Sequence, residues 1–207
     1  MFKITEIQCE YRNDPIGLGC ASPRLMWKLS SDRAAQTAYR VIVCSTRAAA
    51  LQGKGDLWDS GVVFSPAAFY AEYAGKKLAS RAQCWWRVTV YSGEECAESD
   101  IGYFEIGLLR GEDWKGTWTA MPAQSSGATM LLRREFELPS AAVRARVYVC
   151  GIGFHELFVN GKKAGDALLN PSLTDFSRRV PCCAYDVTSA VRAGKNVLGL
   201  EVAHGWN

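Results

Sequence analysis

Short apolar runs that alternate with polar residues, each stopped by a turn-forming cluster, constrain this chain more than any other feature. "AYRVIVCST" (Ala38 to Thr46) sets Tyr39, Val41 and Val43 on one face and Arg40, Ile42 and Cys44 on the other. "CWWRVTVYS" (Cys84 to Ser92) alternates in the same way, and "YFEIGLL" (Tyr103 to Leu109) follows a polar "SGEECAESD" turn. A period of two is that of a β-strand with one buried face, and sustained helical spacing is nearly absent. The exception is "STRAAALQGKG", whose alanines favour a short helical turn that Gly53 and Gly55 end. The fold class expected is all-β.

The rhythm lapses over "RGEDWKGTWTAMPAQSSGA" (Arg110 to Ala128), where small and polar residues dominate, and resumes with "TMLLRREFEL", "VRARVYVCG", "FHELFVNGKKAG", "RRVPCCAYDVTSAV" and "NVLGLEVAHGW". The expected organisation is a first β-sandwich over residues 1–110, a linker over 111–128 and a second β-sandwich over 129–207. The first has about seven strands, the size of a fibronectin type III or immunoglobulin-like domain. Asn160-Gly161 is the strongest hairpin signal, because both central residues of a type I′ turn take positive φ. It predicts pairing of Phe154–Val159 with Lys162–Ala164. "YDVTSAVRAGKN" predicts that Asp186 leaves a strand, a helical turn follows, and Gly194 closes it before a strand at Val197.

Composition narrows the function classes. The 207 residues are 48% hydrophobic and 22% charged, the balance of a globular protein with a substantial core. A net charge of +3, with no Lys/Arg block longer than two residues, argues against nucleic-acid and anionic-membrane partners and suits neutral ligands. No run approaches the roughly 18 apolar residues of a membrane span. "MFKITEIQCEYRNDP" lacks the order of a signal peptide, and the cellular location is left open. None of the eight cysteines stands in a C-x-x-C pair, and they are expected to be buried free thiols. Cys182 and Cys183, as strand neighbours, point to opposite faces and are poorly placed to share a metal.

Familiar catalytic motifs are incomplete. "GLGC" (Gly17 to Cys20) and "GIGF" (Gly151 to Phe154) carry only half of a dinucleotide fingerprint and read as strand-end turns. His155-Glu156 lacks the second histidine of a zinc protease, since Val159 stands there, and the pair is expected at exposed strand positions. Trp85, Trp86, Trp114 and Trp118 are assigned to the first core and the joint between domains, whereas Trp206 is a candidate aromatic face for a sugar ring. "FVNGKKAGDALLNPSLTDFSRRV" (Phe158 to Val180) concentrates turn chemistry at Asn160-Gly161, Gly165-Asp166, Asn170-Pro171 and Asp175. The favoured reading is a joint whose Asn and Asp side chains satisfy turn backbones. The other is a set of hard oxygen ligands for Ca²⁺ or sugar hydroxyls, although the spacing matches no defined calcium loop.

In order and spacing, "YRVIVCST", "LWDSGVV", "CWWRVTVYS", "FEIGLL" and "DWKGTW", then "LLRREFEL", "ARVYVCGIGFHELFVNGKKAGDALLNPSLTDFSRRV" and "YDVTSAVRAGKNVLGLEVAHGW", resemble the N-terminal region of bacterial α-L-rhamnosidases, glycoside hydrolase family 78. The resemblance covers nearly the whole chain. It departs at Ser172-Leu173 and at Asn207, where the family usually has other residues.

The resemblance implies a fibronectin-like sandwich followed by a jelly-roll-like β-sandwich, truncated here because the family's second domain continues beyond "GW". It implies a downstream (α/α)₆ barrel holding the acid and base of an inverting hydrolysis of terminal α-L-rhamnose. Inverting enzymes need two carboxyl groups roughly 6.5–9.5 Å apart, and none of the 21 acidic residues nominates such a pair. The chain is therefore expected to be an inactive accessory fragment, with no catalytic residue and no required cofactor. Its partners would be a rhamnose-containing carbohydrate and its own downstream catalytic domain. Some members bind rhamnose with calcium in a sandwich of this type, which makes Ca²⁺ a candidate. Asn160, Asp166, Asn170, Asp175, His204 and Trp206 are the carbohydrate or calcium candidates. The rival readings are a non-catalytic carbohydrate-binding or adhesion module and a structural spacer. A cut sandwich is also expected to bare a sheet edge and to dimerise or aggregate near "NVLGLEVAHGW".

Overall fold

A computed structural model of the chain describes residues 2–30, 35–67, 70–120 and 128–205. It divides into two compact units, residues 1–115 and 116–207.

The first unit contains, in chain order, β1 (Lys3–Cys9), β2 (Arg24–Ser30), β3 (Ala38–Cys44), the helix α1 (Arg47–Leu51), β4 (Trp58–Asp59), β5 (Val63–Phe64), β6 (Ala71–Glu72), β7 (Gln83–Ser92), β8 (Glu95–Glu98) and β9 (Gly102–Glu105). One sheet has the order β1-β2-β6; the other runs β4-β3-β7-β8, with β5 also on β3 and β9 also on β7. Every ladder is antiparallel. The core lies between these sheets, where Leu25 and Trp27 of β2 meet Val41 and Val43 of β3, Trp86, Val88 and Val90 of β7, and Phe104 of β9.

The alternation of β7 is what selects Cys84, Trp86, Val88 and Val90 for burial. Gly102 lets β9 lie against the Trp86 indole, because a Cβ there would stand 2.5 Å from Nε1. The other face of β3 is also used: Ile42 and Cys44 pack with Ala50 of α1, with Trp85 beside them. The helix starts as expected, with the Thr46 hydroxyl accepting from Ala49 N, and ends before Gly53 at φ +67°. Residues Gly111–Asp113 form a 3₁₀ turn, and the Ser80 hydroxyl donates to Asp113 at 2.5 Å.

Among the assigned tryptophans, Trp86 fills the core and Trp85 and Trp114 are half-buried. Trp118 departs from the expectation at 71% exposed, because its stretch pairs with no strand. The cysteines depart too. Cys9, Cys44 and Cys84 are buried and Cys20, Cys150 and Cys183 intermediate, but Cys96 and Cys182 are exposed.

The second unit contains β10 (Met130–Leu138), β11 (Arg146–Cys150), β12 (Phe154–Val159), β13 (Lys162–Lys163), β14 (Cys182–Asp186) and β15 (Gly194–Ala203). A four-stranded sheet of order β10-β15-β12-β13 and a two-stranded ribbon β11-β14 share one apolar layer. Val149 of β11 and Tyr185 of β14 pack with Leu157 and Val159 of β12, Val187, and Leu198 and Leu200 of β15.

The Asn160-Gly161 hairpin forms as its sequence predicts, with φ of +50° and +82°. Lys162 and Lys163 pair with Val159 and Phe158, and Ala164 N donates to Leu157 O at 2.7 Å. The turn after Asp186 forms as well, since Ala190 N and Val191 N both donate to Val187 O.

Of the segment "NVLGLEVAHGW", the part within β15 is paired on both sides, by β10 and by β12, so this strand offers no bare edge of its own. Among the described residues no helix is long and apolar enough to cross a membrane.

Candidate functional site

The turn-rich segment from Phe158 to Val180 begins at β12 and arches over Tyr185 of β14. In β12 the period of two places His155, Leu157 and Val159 together on the inward face. His155 is therefore buried, at 4% exposed, against the expectation of an exposed strand position. The reason is its phase: it shares a face with Leu157 and Val159. Glu156 faces the other way and pairs with Lys163.

His155 is also where the segment returns to the sheet. Its N–H donates to Asn170 O at 2.7 Å, an isolated antiparallel bridge. The Asn170-Pro171 bond is cis. Asn170 Nδ2 donates to the Tyr185 hydroxyl at 3.2 Å, and that hydroxyl also bonds His155 Nε2 at 2.9 Å. Gly165, at φ +76°, lies over the Tyr185 ring, where a Cβ would approach to 3.3 Å. One tyrosine hydroxyl thus ties together β12, β14 and the loop. Burial pushes the Tyr185 pKa up and the His155 pKa down, so both groups are held neutral.

Among the described residues His155 Nδ1 is buried without a hydrogen-bond partner, so a proton added there would meet no acceptor among them. The unfolded chain takes up this proton near pH 6.5 and the folded chain only at lower pH. Stability of the second unit is expected to be full above that value. It should fall below it by up to about 1.4 kcal/mol per pH unit until the folded-state pKa is passed. Urea unfolding at several pH values checks this; His155→Gln should flatten the slope, and identical slopes in both proteins would contradict it.

The six candidates separate clearly. Asn160 is committed to the fold: its Nδ2 donates to Ala190 O and Asn196 Oδ1, and its Oδ1 accepts from Val197 N. Asn170 is committed to Tyr185. Asp175 is exposed and closes its own turn, accepting from Ser177 N at 3.0 Å and Ser177 Oγ at 2.6 Å. Asp166 and His204 are exposed, and Trp206 lies outside the described residues. Among the described residues no group of three His, Cys, Asp or Glu side chains is placed to hold a metal ion. Sequence reasoning missed the exposed Leu168, Leu169 and Leu173, which give the same loop an apolar rim.

Several carboxyl groups are held toward the ionised form by their neighbours. Hydrogen bonds from Arg24, Arg40 and Ser80 lower the pKa of Glu10, Asp59 and Asp113. Burial works against the charge of Asp56 and Asp186, yet hydrogen bonds from Ser45 and Thr188 outweigh it and lower these too. A general acid of a glycosidase needs the opposite shift.

Comparison with known proteins decides the family. Residues 4–110 match the model of the Rha78A-like, N-terminal immunoglobulin domain, and residues 140–207 match the α-L-rhamnosidase N-terminal domain. The chain belongs to the family of the Rha78A-like N-terminal immunoglobulin domain, with an α-L-rhamnosidase N-terminal domain match after it. An α-L-rhamnosidase of Alteromonas sp. (strain LOR) is 36% identical over 209 residues, covering 93% of this chain and 22% of that protein. One from Formosa agariphila is 32% identical over 208 residues, with 94% and 22% covered. The structure of the α-L-rhamnosidase from Dictyoglumus thermophilum superposes with a TM-score of 0.90 at 31% identity, over 98% of this chain and 25% of that one. The chain thus spans about a fifth of the length of the curated rhamnosidases it matches. It corresponds to their N-terminal accessory domains, an immunoglobulin-like sandwich followed by the rhamnosidase N-terminal domain.

Proposed function

We propose that this chain supports an α-L-rhamnosidase that removes terminal α-L-rhamnose from glycosides or polysaccharides, with inversion at the anomeric carbon. The observation that carries this reading is the pair of rhamnosidase N-terminal domains, in order, along one chain. The two units supply folded surfaces for a catalytic domain, and the acid and base lie outside residues 1–207. Anomeric proton spectra recorded during hydrolysis of an α-L-rhamnoside by the complete gene product test it. β-L-Rhamnose should appear first; α-L-rhamnose first would contradict inversion, and no release would contradict the reading as a whole.

Carbohydrate contact is a further role within the same proposal. Asp166, Asp175 and His204 are the exposed polar candidates, and the leucines of the same loop offer apolar surface to the methyl group of a 6-deoxy sugar. Ca²⁺ would have to be held by single carboxylates with backbone oxygens and water. Amide shifts of the labelled chain titrated with L-rhamnose, with and without Ca²⁺, should move over residues 165–177. Shifts confined elsewhere would remove this role and leave the supporting one intact.

A further inference from the structure

Cys150 and Cys182 face each other across the β11-β14 ribbon, in register as direct partners. Val187 N donates to Ala145 O at 3.1 Å, which makes that pair hydrogen-bonded and fixes the alternation along the ladder. Counting from it, Tyr185 and Val147, then Cys183 and Val149, are hydrogen-bonded pairs, and Cys150 with Cys182 is a non-hydrogen-bonded pair. Such pairs hold their Cα atoms about 4.5 Å apart with side chains drawn together, within the span a disulfide bridges.

The same alternation sets which way the thiols point. Val147, Val149, Cys183 and Tyr185 belong to the apolar layer, so Cys150 and Cys182 project from the opposite face of the ribbon. Arg146 and Asp186 form an ion pair on that face at 2.8 Å. Cys182 is exposed, yet desolvation of its sulfur and the neighbouring Cys150 thiol push its pKa up to about 12.

We propose that Cys150 and Cys182 are an oxidation site that closes to a reversible cross-strand disulfide. Its co-reactant is a small-molecule disulfide. The thiolate that Cys182 forms at alkaline pH attacks one sulfur of that disulfide, forming a mixed disulfide and expelling the first thiolate. The Cys150 thiolate then attacks the Cys182 sulfur and expels the second. The two protein thiol protons end on the two released small thiols, and one S–S bond replaces another. Cys183 does not compete, because it lies on the inner face.

The bond joins the two ends of the segment 151–181, which holds the hairpin and the loop over Tyr185. Oxidation therefore locks the base of that loop, and reduction frees it.

Glutathione disulfide is the probe, with Cys96→Ser in the background to remove the other exposed thiol. Mass spectrometry of an unreduced digest should show Cys150 linked to Cys182. Melting of the second unit, followed by the amides of β15, should rise by on the order of 10 °C, and dithiothreitol should reverse it. In Cys150→Ser a lasting glutathione adduct should remain on Cys182, since the resolving thiol is gone. Lasting adduct on Cys182 with Cys150 present, linkage between two chains, or no adduct in Cys150→Ser would each overturn the proposal.

Discussion

Replacing Trp86 with alanine is expected to destabilise the first unit by roughly 3–5 kcal/mol, the range for removing a large aromatic from a closed core. Trp86 is 1% exposed, stands in mid-strand on β7, and packs between the two sheets with Leu25, Val41, Val43 and Phe104 in the same cluster. Gly102 presses a backbone against the indole, so the surroundings have little freedom to collapse into the space left behind. Trp85, one residue earlier, points to the other face and is half-buried against Tyr103, with ring centroids 5.2 Å apart. Trp85→Ala should therefore cost distinctly less. Urea unfolding of both variants gives the comparison, and equal losses would mean that the face assignment of β7 is wrong.

Asn196→Ala should be the most damaging single change in the second unit, at about 2–4 kcal/mol. The side chain is wholly buried and makes four hydrogen bonds. Its Nδ2 donates to Arg192 O at 2.7 Å and Gly194 O at 2.9 Å, and its Oδ1 accepts from Arg192 N at 3.0 Å and Asn160 Nδ2 at 2.9 Å. Alanine strands several of these partners, at about 1–3 kcal/mol for each one left buried and unpaired. Asn160 in turn holds Ala190 O and Val197 N, so the two asparagines clamp the hairpin to the turn that opens β15. Losses from Asn160→Ala and Asn196→Ala should be less than additive in the double variant, because both remove their mutual bond. Strict additivity would show that the pair does not act as a unit.

Much of this was legible in the residues themselves. The alternation of "CWWRVTVYS" marked β7 as a strand, though not which of Trp85 and Trp86 faces the core, and Asn160-Gly161 named its hairpin, because both are local rules of strand and turn geometry. The role of Asn160 was only half legible: its turn could be read, but its clamp on Asn196 depends on a strand far away in sequence. His155 was misjudged because it was weighed as a motif residue, although its phase with Leu157 and Val159 already placed it inward. The inner position of β15 and the facing of Cys150 with Cys182 depend on strand order and register, which link segments distant in sequence and leave no local signature. The candidate site fared similarly: the turn residues were visible, whereas Tyr185, the hydroxyl they converge on, was not singled out.

The most direct test of the accessory role compares p-nitrophenol release from p-nitrophenyl α-L-rhamnoside by the isolated 207-residue chain and by the complete gene product at equal molar concentration. Steady release by the complete product and none above buffer by the isolated chain is the expected result, because the acid and base of the hydrolysis are assigned outside residues 1–207. Turnover by the isolated chain would contradict it.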